Sequence, residues 1–424
     1  MLGVAVLAVA AALLARGSDP DRPSASVRQA TPTSMPSASP SPPQASIEPA
    51  GIAEHLRAVR DAAAAEGTRA AGTRGDRATS RYIAARLRAA GFRVTEPEFE
   101  VPLFRERSPA RVSGLRRNQI LTLTFSGSGR AAGRARRVGL GCTAGDYRGL
   151  RRGDVAVADR GVCTFSARAR LAQRAGAGAL LVISDRGAPF SGSLGAPGVK
   201  IPVLAIAEDA PGALGRRVRV RVDAVSARRT TRNVVAEIGP EDAERVFMAG
   251  AHLDSVVPGP GLNDNGSGVA AVLEVAEQLA SRPLAGGAAL RVGFWGAEEI
   301  GLVGSRSYVR GLSAAERRRI RAYVNLDMVG SPGSEAEVYA GEGPAGRRIE
   351  AALREGLPAG AGEEELGGSS DHASFAARGI PVGGIFTGLD RCYHRACDRI
   401  GNVDPELAAR AARATAGALE RLAR

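Results

Sequence analysis

Four histidines stand among the 424 residues, and two of them keep company with acids. His252 ends the apolar run "RVFMAGAH"; Asp254 follows two residues on, and Asp264 lies in the glycine-flanked "LNDNGSG". A metal-bound imidazole commonly donates its second N–H to a carboxylate, which fixes its tautomer, and Asp254 has the spacing for that role. Glu298 and Glu299 follow another apolar run, "LRVGFWGAEE". Adjacent carboxylates in such a context are costly to bury without a partner or a cation. Asp327 is expected inside a third apolar strand, "RAYVNLDMVG", and His394 sits beside Tyr393 between Cys392 and Cys397. Taken singly, each has an ordinary alternative: a core or surface histidine, or a solvated acidic loop. Together His252, Asp264, Glu299, Asp327 and His394 supply two imidazoles and three carboxylates, enough for two Zn2+ if one carboxylate bridges. N/O ligation with open positions is the catalytic pattern, unlike closed Cys-rich structural sites. Two such ions can activate a water while polarising a carbonyl. Glu298 is then expected to act as general base, and Tyr393 to donate a hydrogen bond to the oxygen that becomes negative.

The elements that must position these residues are legible as alternation. From Arg232 onward, "NVVAEI", "RVFMAGAHL", "LRVGFWG", "RAYVNLDMVG" and "PVGGIF" are near-continuous apolar runs, with helix-like stretches such as "GVAAVLEVAEQLASR" between several of them. Strands buried on both faces and alternating with helices predict a three-layer α/β/α sandwich with a mixed, largely parallel sheet. Ligands in such folds sit beyond the carboxyl ends of the strands, where the acids fall. Residues 51–107 are expected to be the N-terminal part of the same domain: "HLRAVRDAAAA" and "ATSRYIAARLRAAG" are helical, with Gly91 at a helix stop. His55 is expected on the surface of the first of these helices. Residues 108–227 change texture to short β-rich runs around the helix "SARARLAQRAGAG", the mark of a smaller α/β insert. Residues 228–424 form the main part of the domain.

The net charge is +13, carried almost entirely by arginine, with Lys200 the single lysine. The arginines are scattered, and no stripe of interleaved basic and aromatic residues appears, so a compositional bias is preferred to a nucleic-acid partner. Met1–Ala15 carries no charged side chain. It is short for a membrane span, which needs roughly 18 apolar residues. Residues 1–17 are read as a signal peptide or short membrane anchor, although the basic residues that usually precede one are missing. No cysteine lies near it, so lipid anchoring is not expected. Ser18–Pro49 holds eight Ser and eight Pro, and residues 18–50 are read as a disordered linker. The cysteines fall into two close pairs, Cys142 with Cys163 and Cys392 with Cys397, which suggests two disulfides in an exported chain.

The ordered motifs "HLDS", "NDNGSG", "WGAEEIGLVGS", "NLDMVG", "SDHASFAARGIPVGGIFTG" and "CYHRACD" resemble the secreted bacterial dizinc aminopeptidases. These belong to the zinc-peptidase family that also holds aminopeptidase Y and the glutamate carboxypeptidase and transferrin-receptor relatives. The resemblance implies a zinc-dependent aminopeptidase that removes N-terminal, apolar residues from peptides. It places the ligands on His252, Asp264, Glu299, Asp327 and His394, with Asp264 bridging and Asp254 behind His252. It places the base on Glu298, the oxyanion helper on Tyr393, and a cis peptide at Asp264–Asn265. Asp371 and His372 belong to the motif as supporting residues. The insert resembles the protease-associated domain, which carries no catalytic residues in the family. Two departures bear on specificity. Ser369 stands where some relatives carry arginine, and only Gly388–Arg391 separate "FT" from "CYH", so the pocket rim differs. Competing readings are a carboxypeptidase or another hydrolase of the fold, which needs a basic pocket; an inactive receptor-like module, which lost ligands would mark; and a single-zinc glutaminyl cyclase, which needs fewer ligands. Ca2+ binding is left open. The expected protein is a secreted or cell-surface monomer acting on peptide substrates, without a nucleic-acid partner, touching a membrane only through an N-terminal anchor.

Overall fold

The computed structural model describes residues 47–424 apart from 215 and 366. The expected signal or anchor, and the linker up to residue 46, lie outside the described residues. The linker expectation is corrected at its end: Ile47 is fully buried and the first helix starts at Pro49.

Fifteen strands occur among the described residues: β1 (Arg93–Thr95), β2 (Glu98–Val112), β3 (Ile120–Thr122), β4 (Gly129–Arg137), β5 (Val155–Asp159), β6 (Ala179–Ile183), β7 (Val203–Ile206), β8 (Arg217–Arg232), β9 (Val234–Ile238), β10 (Val246–His252), β11 (Ala289–Trp295), β12 (Ile320–Leu326), β13 (Glu337–Tyr339), β14 (Gly362–Glu364) and β15 (Val382–Phe386). The α-helices are α1 (Pro49–Ala63), α2 (Arg74–Ala89), α3 (Phe165–Arg174), α4 (Gly266–Ala280), α5 (Val303–Gly311), α6 (Ala314–Arg319), α7 (Gly343–Arg354), α8 (His372–Ala376) and α9 (Pro405–Ala423).

Eight strands form one mixed sheet in the order β1-β9-β11-β10-β12-β15-β13-β14. Its centre, β11-β10-β12-β15, is parallel throughout. Every residue of β10 is buried, which is why it reads as an unbroken apolar run rather than an alternating one. One face packs on α1, α2, α4, α7 and α9, and the other on α5 and α8, giving the three expected layers. His252 pairs with Trp295, and Leu326 with Ile385, so the loops after the four central strands open on one edge.

Two paired glycines make room beneath that edge. Gly250 faces Gly293 across β10 and β11. A Cβ on Gly293 would lie 2.2 Å from the Trp295 ring, and one on Gly250 would lie 2.6 Å from the Tyr323 hydroxyl. The space holds a buried aromatic stack, with Trp295 Nε1 donating to Tyr323 Oη at 2.8 Å and Tyr323 lying 3.8 Å from Phe375.

His55 departs from its expectation. It is 1 % exposed, with Nδ1 2.7 Å from the Tyr82 hydroxyl and Nε2 3.5 Å from Glu274. Ile52, His55, Leu56 and Val59 follow i, i+3, i+4, i+7, so His55 belongs to the buried stripe of α1.

The second sheet runs β2-β8-β4-β5-β6-β7-β3 and carries α3. The insert boundaries expected at 108 and 227 fall inside β2 and β8. These two strands pair from Glu98↔Arg232 to Val112↔Val220 as one long antiparallel ribbon. The Cys142–Cys163 disulfide closes within this unit, with Cα atoms 5.8 Å apart.

Gly293→Ala is expected to cost about 1–3 kcal/mol by overpacking against Trp295. A thermal melt checks this; an unchanged midpoint contradicts the packing argument.

Candidate metal centre

His252 is the last residue of β10 and is 1 % exposed. Asp254, fully buried, lies with Oδ1 3.8 Å from His252 Nδ1, and the same oxygen accepts the Glu298 amide N–H at 3.0 Å. One carboxylate therefore lies beside the histidine ring and is hydrogen-bonded to the backbone of the neighbouring acid loop. Asp264 precedes α4, and the Asp264–Asn265 peptide is cis, as the resemblance implied. Asp398 accepts the N–H groups of Asn263 and Asp264 at 2.8 and 3.0 Å. Asn265 caps α4 by accepting the Gly268 N–H, and its Nδ2 donates to Leu326 O at 2.9 Å, which ties α4 to the end of β12. Asp327 lies one residue beyond β12, not inside the strand as expected; β12 ends at Leu326, so the carboxylate escapes the doubly buried sheet.

The loop after β11 is held from its flanks. Gly296 N–H donates to Asn233 Oδ1 at 3.0 Å, and Asn233 Nδ2 donates to Gly304 O at 2.9 Å. Between them, Gly301 and Leu302 donate to Glu298 O at 2.8 Å. Cys392 and Cys397 form the second disulfide, around Tyr393 and His394. Those two rings stack 3.8 Å apart.

The side chains converge as two groups that share Asp264. His252, Asp264 and Asp327 form one; Asp264, Glu299 and His394 form the other; within each, the potential ligand atoms lie within 4.8 Å of one another. His252 Nε2 is 3.3 Å from Asp264 Oδ1 and from Asp327 Oδ1. His394 Nε2 is 3.3 Å from Asp264 Oδ2 and 3.0 Å from Glu299 Oε2. Glu298 belongs to neither group, and its Oε2 is 4.0 Å from His252 Nε2.

A metal fits this donor set. Asp264 Oδ2, Glu299 Oε1 and Asp327 Oδ1 are buried and lack a hydrogen-bond partner. Burial pushes the Glu298 carboxyl up to about 10, against the pull of His252 and helped by Asp371, Asp327 and Asp254. Burial likewise raises Glu299 to about 7. The facing carboxylates of Asp264 and Glu299 raise His394 to about 10. Carboxylates that oppose one another's ionisation in a buried site are an environment that a bound cation relieves.

Several supporting residues escaped the sequence reading. Arg69 is fully buried and donates to Pro260 O at 2.8 Å, to Gly261 O at 2.5 Å and to Leu253 O. It clamps the loop between His252 and Asp264 and faces Asp254, Asp398, Asp264 and Glu299. Nothing in its spacing distinguishes it from the other arginines. Asp398 and Asn233 were missed too, although both lie inside quoted motifs. Asp371 is fully buried without a hydrogen-bond partner on either oxygen. His372 lies outside both groups, with Nε2 2.6 Å from Gly367 O.

A cavity of about 550 Å³ opens over the cluster. Leu302, Met328, Tyr339, Phe386 and Leu389 give it apolar wall, and Ser369, Glu364, Glu365 and Arg306 add polar groups. Arg306 is the arginine on this wall, where Ser369 leaves none.

With this geometry in view, the comparisons are specific. Residues 233–419 match the model of peptidase family M28, and residues 132–213 match the PA domain. The probable lipoprotein aminopeptidase LpqL of Mycobacterium tuberculosis is 37 % identical over 371 residues, covering 79 % of this chain and 73 % of that protein. An aminopeptidase of Pseudomonas aeruginosa is 32 % identical, covering 96 % and 88 %. The crystal structure of BSAP, a zinc aminopeptidase from Bacillus subtilis, superposes with a TM-score of 0.65 at 27 % identity, covering 89 % of this chain and 96 % of that one. The chain belongs to peptidase family M28, with a PA domain inserted in the peptidase fold.

Arg69→Met is expected to destabilise the fold by about 3 kcal/mol or more, because it strands buried carbonyls and leaves buried carboxylates without their cation. Chemical denaturation checks this; a loss under 1 kcal/mol contradicts the clamp.

Proposed function

We propose that this protein is a zinc aminopeptidase using two Zn2+ per chain, held by His252, Asp264, Glu299, Asp327 and His394 with Asp264 shared. The observation that carries the reading is the pair of three-residue groups meeting at one buried carboxylate. Two imidazoles and three carboxylates suit zinc and leave positions open. Bound zinc supplies Lewis-acid polarisation of the substrate carbonyl and lowers the pKa of a water nucleophile.

The chain's own residues do the rest. Glu298 stands beside the cluster rather than within it; bound cations would offset the burial that raises its carboxyl and leave it ionised, able to take a proton from the attacking water and pass it to the leaving amine. Tyr393, at the cavity edge, donates a hydrogen bond to the oxygen that gains charge. Asp254 keeps His252 in one tautomer and Glu298 at a fixed height. The apolar walls at Leu302, Met328, Phe386 and Leu389 favour an apolar N-terminal side chain, and the acids of the cleft favour its free ammonium group. The relatives named above as aminopeptidases support the same reading. Two disulfides suit an oxidising compartment, so we place the enzyme outside the cytoplasm. No helix among the described residues is long and apolar enough to cross a membrane.

Release of leucine from Leu-p-nitroanilide tests the reading. Activity is expected to vanish with a chelator, return with zinc, and fall at least a thousandfold in Glu298→Ala with bound zinc unchanged. Turnover only on a substrate with a free C-terminus would instead mark a carboxypeptidase. Asp254→Asn is expected to weaken zinc affinity about 10–100-fold, read by competition with a chromogenic chelator; unchanged affinity removes Asp254 from the orienting role.

A further inference from the structure

The insert carries a charge arrangement that the peptidase reading does not use. β8 begins "RVRVRVDA". Val218, Val220 and Val222 point into the core of the insert, and Arg217, Arg219 and Arg221 are exposed on the other face. The neighbouring strands repeat the sign. Arg221 pairs directly with Arg111 of β2 on one side and with Arg130 of β4 on the other. Arg217 pairs directly with Arg134. All six arginines are exposed. None of their side chains forms an ion pair or hydrogen bond with a described residue. The nearest acid along β8, Asp223, accepts a hydrogen bond from Ser108 at 3.3 Å.

Like charges placed directly opposite one another on adjacent strands are destabilising. This sheet holds three such pairs within a patch of about 10 by 14 Å, from the usual strand spacing and rise. Elsewhere in the insert arginines do find acids: Arg136 meets Asp154 and Arg137 meets Asp159. What sets the six apart from the other arginines of the insert is the strand register that brings them face to face.

We propose that this face docks on an anionic phospholipid surface. An open sheet face with its charges side by side suits a planar layer of headgroups better than a threaded chain. No aromatic residue stands among the six arginines to stack a nucleic-acid base, the usual companion of a basic single-strand groove. The uncharged apolar stretch Met1–Ala15, read above as a signal peptide or short membrane anchor, is joined to the body by the Ser/Pro-rich segment and as an anchor would add a second contact. Weak apolar anchors hold stably when paired with a basic patch. Membrane contact is thereby extended beyond the N-terminal stretch to the insert, and the cavity above the metal centre remains on another part of the molecule.

Sedimentation of the full chain with vesicles tests this. Binding is expected to vesicles of 30 % phosphatidylglycerol, to be much weaker to pure phosphatidylcholine, and to be released by 0.5 M salt. Each arginine in contact should contribute about a fivefold gain in partitioning. The triple variant Arg130→Ser, Arg219→Ser, Arg221→Ser should therefore partition at least tenfold less, with unchanged thermal midpoint and unchanged turnover of a soluble peptide. Arg57→Ser, Arg310→Ser, Arg378→Ser removes the same charge from the peptidase unit and should retain binding. Equal loss in both triple variants reduces the effect to net charge and overturns the proposal. So does full binding by the first variant, or binding to a soluble acidic polymer such as heparin with none to phosphatidylglycerol vesicles.

Discussion

Buried negative charge is the constraint on which the rest of this structure depends. Asp254, Asp264, Glu298, Glu299, Asp327 and Asp371 converge on one edge of the sheet, all of them largely shielded from water and two of them fully buried. Removing that much charge from water is unfavourable unless cations and hydrogen-bond donors meet it. Much of the surrounding architecture answers that demand. Arg69 is sunk into the interior to face three of the acids, Asp254, Asp264 and Glu299, and their neighbour Asp398. Backbone amides are turned toward Asp254 and Asp398. Two histidines complete the set, and a bound metal would balance what remains.

The same constraint explains where rigidity is concentrated. His252 and the acids of the cluster leave from the ends of parallel strands that share a register, so their bases cannot shift independently. The loops they enter are latched individually: by Asn233 on both sides of the acid pair, by Asn265 at the head of α4, and by a disulfide around His394. Gly268 lets α4 approach closely, since a Cβ there would stand 2.3 Å from Leu326 O. Preorganisation of this kind favours an environment that need not rearrange as charge develops.

Much of this was legible in the sequence because it rests on patterns. Doubly buried strands appear as apolar runs, and acids at the ends of those runs mark the carboxyl edge of a parallel sheet. What stayed hidden depends on distant contacts. Arg69 is 183 positions before His252 in the chain, and nothing local shows that it is buried. His55 followed the helical period of α1, but its polar type favoured a surface reading over its position. The arginines of β8 looked scattered when counted along the chain. Only the strand register brings Arg111, Arg130 and Arg221 abreast.

The ribbon of β2 and β8 gives the insert a mechanical meaning. Its base ends where Asn233 grips Gly296 and Gly304, on either side of Glu298 and Glu299. Val101 of the ribbon packs with Ala297, the residue just before Glu298. At Gly296 the fit leaves no slack, since a Cβ there would come within 2.5 Å of Arg232 O. The two strands thus act as a stem planted against the acid loop. A load that tilts the insert is delivered at the loop that carries Glu298 and Glu299, so the insert has a mechanical handle on the position of that loop.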